Sequence, residues 1–305
     1  MLESKVGYMY KIDIHADDYA YSLATSKDII DCLRKGCLDS FSIICNLPAF
    51  DECMELLYKE IPNLPFLPLI SIHLDFPEGD SISDNLPLSW SNLFLSSYSF
   101  NRNKIKKELK KEIKRQIDKT QGVINKCIDI ARNSGVEAKQ SGIRIDSHIH
   151  THLIPVVWDS LIEVIEEEKY DIEYIRNPLE PLNIFLNEKS LIKTYSFVNI
   201  IKNRILAFYS KKVDKYCDSH NLPKMYMWGL VMSSHMDFDR IKILLDSFKK
   251  KAQDDDRVLE LLFHPGKANE DEYCKEMNKD YFRDANTSNN RHIEKESVLK
   301  VKNLL

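Results

Sequence analysis

The sequence has no excess of charge of either sign. Its 305 residues include 43 Lys and Arg against 47 Asp and Glu, and the formal net charge is -4. A chain without a basic excess is not typical of proteins that bind nucleic acid through a charged surface, so we expect no nucleic-acid partner. The lysine-rich run from Lys104 to Lys114 is interleaved with apolar residues at helical spacing, which indicates the solvated face of a helix.

Cysteine motifs and long apolar runs are also missing. The seven cysteines are odd in number and form no C-x-x-C, which argues against a disulfide framework or a cysteine zinc knuckle. The first residues lack the long apolar core of a secretory signal, and no window approaches ~18 uninterrupted apolar residues. We therefore expect a reduced, cytoplasmic protein that has no membrane partner.

What the chain does contain is a regular alternation of strand and helix patterns. Strands are predicted at residues 10–15, 38–45, 69–74, 143–152, 172–176, 225–230 and 258–264. Helices are predicted after an N-cap at Ser26, after Pro48, at 104–134, 155–168, 197–217 and 238–248, and weakly from His292. Segments 76–100 and 267–290 are predicted to be irregular. About seven strands alternating with helices predict an α/β fold, a single domain over residues 1–305 that forms a distorted or incomplete (β/α) barrel of parallel strands.

The densest group of histidines lies in the stretch Ile143–Pro155. His148, His150 and His152 stand at every second position, and Asp146 precedes them by two residues. Side chains at this spacing share one face of an extended strand, so three imidazoles and a carboxylate are predicted to point the same way. Imidazole is the commonest metal-binding side chain, which suggests a metal site. The alternative is a polar strand end that carries surface histidines.

Other polar residues fall at the ends of the predicted strands. Asp17 and Asp18 follow the first strand, His73 ends the third, Arg176 the fifth and His264 the seventh. Alone, each has a simpler explanation, such as a turn, a helix cap, a core histidine or an ordinary strand exit. In a β/α barrel, however, the carboxyl ends of the strands form one face, where active sites are built. Their shared placement predicts a metal site there.

The residue types at this face suit hydrolysis. Two imidazoles and one carboxylate leave positions on a metal open for water and substrate, and a metal polarises a carbonyl group. A neighbouring carboxylate can take a proton from water, and an imidazole can protonate a leaving amine. The adjacent carboxylates Asp17 and Asp18 are suited to divide ligation and base catalysis between them.

This set of residues resembles the YdjC-like carbohydrate deacetylase family. The most specific element is Asp-Ser-His-x-His-x-His, and the order and approximate spacing of the motifs match from about residue 10 to about residue 266. The matching motifs are Ala16-Asp17-Asp18-Tyr19, Ser71-Ile-His73-Leu74, Glu112-Ile-Lys-Arg-Gln116, Ile145-Asp-Ser-His-Ile-His-Thr-His152 with Pro155, and Glu260-Leu-Leu-Phe-His264-Pro265.

The resemblance implies a metal-dependent deacetylase on a barrel similar to that of NodB-type polysaccharide deacetylases. At the matching positions, Asp18, His73 and His148 would bind the metal. Asp17 would be the general base and His264 the general acid.

The resemblance also implies supporting roles for five further residues. His150 and His152 would line the pocket or support the ligands. Asp146 would orient a ligand imidazole. Arg176 and Glu260 would contact the substrate or orient His264.

The chain departs from the family pattern near its first aspartates. The family usually has Asn where His15 stands and Phe-Gly where Tyr19-Ala20 stands, and alanine restricts the backbone there. We expect a difference in local geometry or in substrate. Trp90, Tyr19 and Trp228 are candidates for stacking on a sugar ring, although buried aromatics are the simpler interpretation.

The expected cofactor is one divalent metal ion, Mg²⁺ or Zn²⁺. Two imidazoles favour a transition metal, whereas the resemblance implies magnesium. The expected partner is an N-acetylated sugar, and a homodimer is left open. Two alternatives to a deacetylase remain at this stage: a metal-dependent phosphoesterase or amidohydrolase that acts on another small molecule, and a catalytically silent protein that binds sugar or metal.

Overall fold

Seven parallel strands form one sheet in the computed structural model, which describes residues 12–79, 81, 89–272 and 284–305. The strands are β1 Ile12–Tyr19, β2 Ser40–Ile43, β3 Leu69–Leu74, β4 Ile143–Ser147, β5 Ile172–Ile175, β6 Met225–Trp228 and β7 Val258–Phe263. Their order is β5-β4-β3-β2-β1-β7-β6. The predicted incomplete barrel of about seven parallel strands is confirmed. The predicted start of β1 at Tyr10 lies outside the described residues.

Helices cover one face of this sheet, as expected where parallel strands are joined by crossovers. They are α1 Leu23–Arg34, α2 Phe50–Glu60, α3 Trp90–Ser96, α4 Arg102–Asn133, α5 Pro155–Glu168, α6 Leu182–Asn187, α7 Phe197–His220, α8 Phe238–Asp254 and α9 Asn290–Val301. Within the described ranges, none of the helices combines the length and hydrophobicity that a bilayer span needs.

Three details of the helix prediction need correction. The predicted N-cap Ser26 is wrong, because Ser22 caps α1 by accepting a hydrogen bond from the Thr25 N–H. Segment 76–100, predicted to be irregular, contains α3, and no helix was predicted where α6 lies. Both helices have only six or seven residues, too few for a clear apolar period. Parts of the predicted loops, at 80, 82–88 and 273–283, lie outside the described residues.

Side chains along the strands alternate between an apolar and a polar face. In β1, Ile14 and Ala16 are buried in the hydrophobic core, while Asp13, His15 and Asp17 point the other way. Asp13 accepts a hydrogen bond from Ser40 of β2 at 2.5 Å. The concave side of the barrel is therefore filled by hydrogen-bonded polar side chains, and the candidate site lies at its carboxyl end.

Candidate active site

A β-bulge at the end of β1 brings two adjacent carboxylates to the same place. Over residues 16–19, β1 advances three residues while β2 advances two, so β1 has one extra residue. In a regular strand the side chains of Asp17 and Asp18 would point to opposite faces. Here Asp18 adopts a left-handed backbone with φ 69°, a conformation that aspartate tolerates better than most residues. The prediction that both aspartates follow β1 is wrong, since β1 extends to Tyr19.

The turn after the bulge needs a second left-handed residue. Ala20 has φ 69°, a left-handed conformation that glycine adopts more readily than alanine. The Ala20 N–H donates to Ser26 Oγ at 2.9 Å, and the Tyr21 N–H donates to the Asp18 carbonyl oxygen at 3.1 Å. These two hydrogen bonds fix the backbone that presents the Asp18 carboxylate.

Three predicted metal ligands converge at this carboxylate. Asp18 Oδ1 lies 3.3 Å from His148 Nδ1 and 3.7 Å from His73 Nε2. Among the described residues, Asp18 Oδ1 accepts no hydrogen bond although it is buried. A buried oxygen of this kind, facing two imidazole nitrogens, fits a divalent cation held by one carboxylate and two histidines.

The charges around the two imidazoles fit the same conclusion. Burial lowers the pKa of His73, but neighbouring carboxylates, Asp17 first, raise it above its usual value. Burial likewise lowers the pKa of His148, and Asp18 and Glu78 raise it well above its usual value. Positive charge is therefore favoured at both rings. A metal binds the neutral form of imidazole. The charge of a bound metal would therefore replace the positive charge that protonation gives to the two rings.

His73 is oriented from behind by a neighbouring strand. The register pairs His73 of β3 with Asp146 of β4, and His73 Nδ1 lies 2.6 Å from Asp146 Oδ1. A carboxylate on Nδ1 places the proton there and leaves Nε2, the atom that faces Asp18, as the metal-binding nitrogen. The structure thus brings Asp146 to the position that its predicted role requires.

Two other groups of acidic and histidine side chains lie deeper in the barrel. They are Asp13 with His15 and Glu260, and His15 with Asp17 and Asp146. Arginines neutralise them already: Arg144 lies 3.0 Å from Asp13, and Arg176 lies 2.7 Å from Glu260 and 3.1 Å from Asp146. A guanidinium that occupies the space between carboxylates leaves little need for a metal there.

The predicted base, Asp17, is held in its ionised form. Ser42 Oγ donates to Asp17 Oδ1 at 2.8 Å, His15 Nε2 lies 3.1 Å away, and Arg176 bonds both oxygens. Burial raises the pKa of Asp17, but Arg176, His73 and His15 together lower it well below its usual value. The carboxylate is therefore ionised throughout the neutral range.

The predicted acid, His264, lies near Oδ2 of Asp17, whereas His15 lies near Oδ1. Its Nε2 is 3.9 Å from Asp17 Oδ2, and its Nδ1 is 3.6 Å from Glu294 Oε2. The His264 side chain is 25% exposed, whereas the Asp17 side chain is 4% exposed. Of the two, His264 is thus the one that a ligand can reach directly from solvent.

The prediction that three histidines share one face of β4 is wrong. The strand ends at Ser147, and residues 148–153 form a 3₁₀ segment in which Ile149 and His150 have positive φ. His152 turns back into the protein, where Nδ1 meets Ser147 Oγ at 2.5 Å and Nε2 meets the Arg176 carbonyl oxygen at 2.9 Å. Of these three histidines, His148 is the one that lies beside Asp18.

His150 keeps a place at the edge of the barrel mouth. It is half-buried, and its Nδ1 makes no hydrogen bond to any residue that the structure describes. Burial and the nearby charge of Arg176 lower its pKa well below the usual value, so the ring is neutral. Its predicted role as pocket wall remains a prediction.

Arg176 and Glu260 take positions that differ from those expected of substrate contacts. Both are fully buried, and they pair with each other at 2.7 Å. Glu260 also accepts a hydrogen bond from Tyr174. The carboxylate beside His264 is Glu294, so Arg176 and Glu260 support Asp17 rather than His264.

Four residues near the site had no role predicted from the sequence. Glu78 is buried with Oε1 3.8 Å from His148 Nε2, and Gln116 holds the backbone of Asp75 through two hydrogen bonds of 2.7 and 2.9 Å. The other two, Arg291 and Glu294, come from α9. The Glu112–Gln116 motif gave a signal for Gln116, but it did not indicate a role.

Two of the three aromatic candidates are excluded as sugar platforms. Tyr19 is fully buried and donates a hydrogen bond to the Cys53 carbonyl oxygen at 2.8 Å. Trp228 is fully buried and stacks on Phe248 with ring centroids 4.1 Å apart. Trp90, in α3, is half-buried and stays a candidate.

Comparison with known proteins gives a family for this arrangement. The family model described as YdjC-like protein matches residues 11–126 and 139–300, which is most of the chain. The chain belongs to the YdjC-like family. The match includes both the bulge in β1 and α9, so the YdjC-like region extends over all the residues of the candidate site. The resemblance seen in the sequence motifs is therefore confirmed.

Curated relatives of this YdjC-like chain are named carbohydrate deacetylases. It is 26% identical over 203 residues to one from Thermoanaerobacter pseudethanolicus, 24% over 164 residues to one from Brevibacillus brevis and 23% over 177 residues to one from Xenopus laevis. These matches cover 66%, 54% and 56% of this chain and 71%, 59% and 51% of the relatives. The chain thus spans little more than half the length of two of the three.

A solved structure shares the fold. It is an Enterococcus faecalis protein named for cellobiose-phosphate cleavage, and it superposes with a TM-score of 0.51 at 17% identity. The superposition covers 96% of this chain and 93% of that one. At this identity the likeness shows the fold alone.

Proposed function

We propose that this protein is a metal-dependent hydrolase that removes the acetyl group from an N-acetylated amino sugar or short oligosaccharide. The observation that carries the proposal is the convergence of Asp18, His73 and His148, with the carboxylate of Asp17 and the imidazole of His264 beside them. A ligand set, a base and an acid are together what metal-assisted amide hydrolysis requires. The carbohydrate deacetylase relatives support the reaction and the class of substrate.

Asp18, His73 and His148 would hold the metal. A bound divalent cation would polarise the acetyl carbonyl group and lower the pKa of a water molecule. Two imidazoles among three ligands favour zinc or another transition metal over magnesium, because magnesium prefers oxygen ligands. Asp146 serves this ligand set by fixing the tautomer of His73.

Asp17 and His264 would move the protons. Asp17 accepts a proton from the attacking water as the new C–O bond forms at the acetyl carbon. The C–N bond then breaks, and His264 donates a proton to the departing nitrogen. The products are acetate and the free amino sugar, so one water is consumed. Asp17 Oδ2 and His264 Nε2 are 3.9 Å apart. At this distance the proposed base and the proposed acid would both lie close to the acetyl carbon of one bound substrate.

The test is release of acetate from defined substrates. The purified protein is incubated with diacetylchitobiose and with related N-acetyl sugars, with no additive, with chelator, and with chelator followed by excess Zn²⁺ or Mg²⁺. We expect acetate in the first sample, none with chelator, and recovery after metal is restored. Metal-loaded protein that yields no acetate from any of these sugars would refute the proposal.

The same preparation separates the alternatives. Phosphate release from an aryl phosphate without acetate release would favour the phosphoesterase alternative. Sugar binding that is measurable by calorimetry, with no product at all, would favour a silent binding protein. The intact Asp17 and His264 argue against that last outcome, because binding alone requires neither a base nor an acid.

A further inference from the structure

Helix α9 carries two buried charged side chains one turn apart. Arg291 is 7% exposed and Glu294 is 1% exposed. Residues three positions apart lie on the same face of a helix, so both point toward the barrel mouth. One contacts the proposed metal ligand Asp18, and the other contacts the proposed acid His264.

Arg291 holds one of the two oxygens of Asp18. Its Nη2 donates to Asp18 Oδ2 at 3.0 Å. The guanidinium is itself anchored, because Nε donates to the Ala285 carbonyl oxygen at 3.3 Å and Nη2 also bonds the Asn286 side chain. With Oδ2 fixed in this way, Oδ1 is the oxygen that faces His73 and His148.

Glu294 holds the backbone of His264 by a hydrogen bond and lies close to its ring. Its Oε2 accepts the His264 N–H at 2.7 Å and lies 3.6 Å from His264 Nδ1, while Oε1 accepts the Met236 N–H at 3.5 Å. In the part of the chain that the structure describes, His264 is the one basic side chain within salt-bridge distance of this carboxylate. The carboxylate thus lies on the Nδ1 side of the ring, and Nε2 is the ring nitrogen that faces Asp17.

These contacts are separate from those that attach α9 to the fold. Val298 and Val301 of α9 are fully buried in the hydrophobic core. Lys295 pairs with Asp28 and Asp31 of α1 on another side of the helix. The helix thus has its own apolar and ionic anchors. Burying two further charges is unfavourable unless each is paired, and both find their partners at the candidate site.

We propose that α9 is a positioning element of the active site, in which Arg291 sets the orientation of Asp18 and Glu294 sets the orientation of His264. The proposal rests on the proposed function, and it adds to it two residues that would act through others. Because the two contacts are independent, each half has its own test.

The Arg291 half is tested by metal affinity without any substrate. Arg291→Lys keeps the positive charge but loses the planar guanidinium, which bonds Asp18, Ala285 and Asn286 at the same time. We expect the Kd for Zn²⁺, measured by direct calorimetric titration, to rise by roughly 10-fold or more, which is typical when an outer partner of a metal ligand is lost. The matched control is Lys295→Arg on the same helix, which should leave the Kd unchanged. An unchanged Kd in Arg291→Lys, or an equal rise in the control, would overturn this half.

The Glu294 half is tested by a double-mutant cycle with His264. We expect Glu294→Gln to lower kcat for the N-acetyl sugar by about 100-fold with little change in KM, because general acid catalysis contributes ~10² or more. His264→Ala should lower kcat at least as far, and the double variant should be no slower than His264→Ala alone. Glu296→Gln, an exposed change on the same helix, is the control and should match the wild type.

The outcomes of this cycle are distinguishable from failure of the proposed function. If the losses of the two single variants multiply in the double variant, Glu294 does not act through His264 and this half is overturned. Partial rescue by Glu294→Asp, which restores the carboxylate, would support it. Wild-type protein that releases no acetate would refute the proposed function and with it the Glu294 half. The metal titration of Arg291→Lys would still decide the other half.

Discussion

Arg176 donates two hydrogen bonds to Asp17, from Nη1 to Oδ2 at 2.9 Å and from Nη2 to Oδ1 at 2.8 Å. The same guanidinium pairs with Asp146 at 3.1 Å and with Glu260 at 2.7 Å, and all four side chains are buried. One cation is thus shared among three carboxylates inside the barrel. It keeps Asp17 ionised and fixes its orientation, and both are required of a base that acts on a water molecule at a defined position.

Loss of this guanidinium should destabilise the fold. Arg176→Met leaves three carboxylates buried without their partner, and we expect the free energy of unfolding to fall by about 3–5 kcal/mol in urea titrations. Arg257→Met is a suitable comparison. Arg257 also donates hydrogen bonds from two nitrogens to one carboxylate, Asp214, but this pair is partly exposed. The free energy of unfolding should fall clearly less in Arg257→Met than in Arg176→Met. An equal fall in the free energy of unfolding for both variants would show that burial does not make the Arg176 network more important for stability.

The two adjacent aspartates should respond differently to the same change. Asp17→Asn keeps the shape but removes the proton acceptor, so we expect kcat to fall by about 10²–10⁴ while metal binding is retained. Asp18→Asn should weaken metal binding, because the amide oxygen carries no charge. Metal content measured after dialysis, together with kcat, checks both. Loss of metal from Asp17→Asn, with metal retained in Asp18→Asn, would mean that the roles are reversed.

The histidines of the 3₁₀ segment offer a matched pair for the ligand assignment. His148→Ala should raise the Kd for Zn²⁺ by more than the roughly 100-fold that loss of an outer partner costs. His150→Ala, two residues away, should leave the Kd within about 3-fold of the wild type, since His150 does not reach Asp18. Calorimetric titration of both variants checks the assignment. A larger rise in the Kd of His150→Ala would support the three-histidine metal site that the sequence spacing suggests.

The pH dependence of stability should report the burial of His152. Burial lowers its pKa in the folded protein to about 3, against an ordinary value of 6.5. Below pH 6.5 the unfolded chain therefore binds a proton that the folded protein excludes, and stability falls as the pH falls from 6.5 toward 3. One proton changes the free energy of unfolding by up to about 1.4 kcal/mol per pH unit.

The variant His152→Gln isolates this contribution. At pH 7.5 the variant should be less stable than the wild type, because it loses the hydrogen bonds to Ser147 and to the Arg176 carbonyl oxygen. The gap should narrow as the pH is lowered from 6.5 to 4.5, because only the wild type has this histidine to protonate on unfolding. A gap that stays constant over this range would contradict a buried neutral His152.

Much of the fold could be predicted from the sequence, because it depends on local periodicity. The seven strands alternate apolar and polar residues or consist of short β-rich runs, and the helices repeat apolar residues at helical spacing. The polar residues at strand ends therefore indicated one catalytic face. Asp17, Asp18, His73, His148 and His264 do meet there, although they are up to 247 positions apart in the sequence.

The parts that could not be predicted depend on backbone irregularities and on contacts distant in sequence. The bulge that turns both Asp17 and Asp18 toward the site has no sequence period of its own. β4 ends at Ser147, and Ile149 and His150 just beyond it have positive φ angles that no sequence period indicates. Arg291 reaches Asp18 from 273 positions away, on a helix whose apolar pattern is weak.

The central claim is that one divalent cation is held by Asp18, His73 and His148. Crystals grown with Zn²⁺, or with Mn²⁺ as a substitute, can be measured at the absorption edge of the metal. We expect one strong anomalous peak within bonding distance of Asp18 Oδ1, His73 Nε2 and a ring nitrogen of His148. A peak among Asp13, His15 and Glu260 instead, or no peak in metal-saturated crystals, would contradict it.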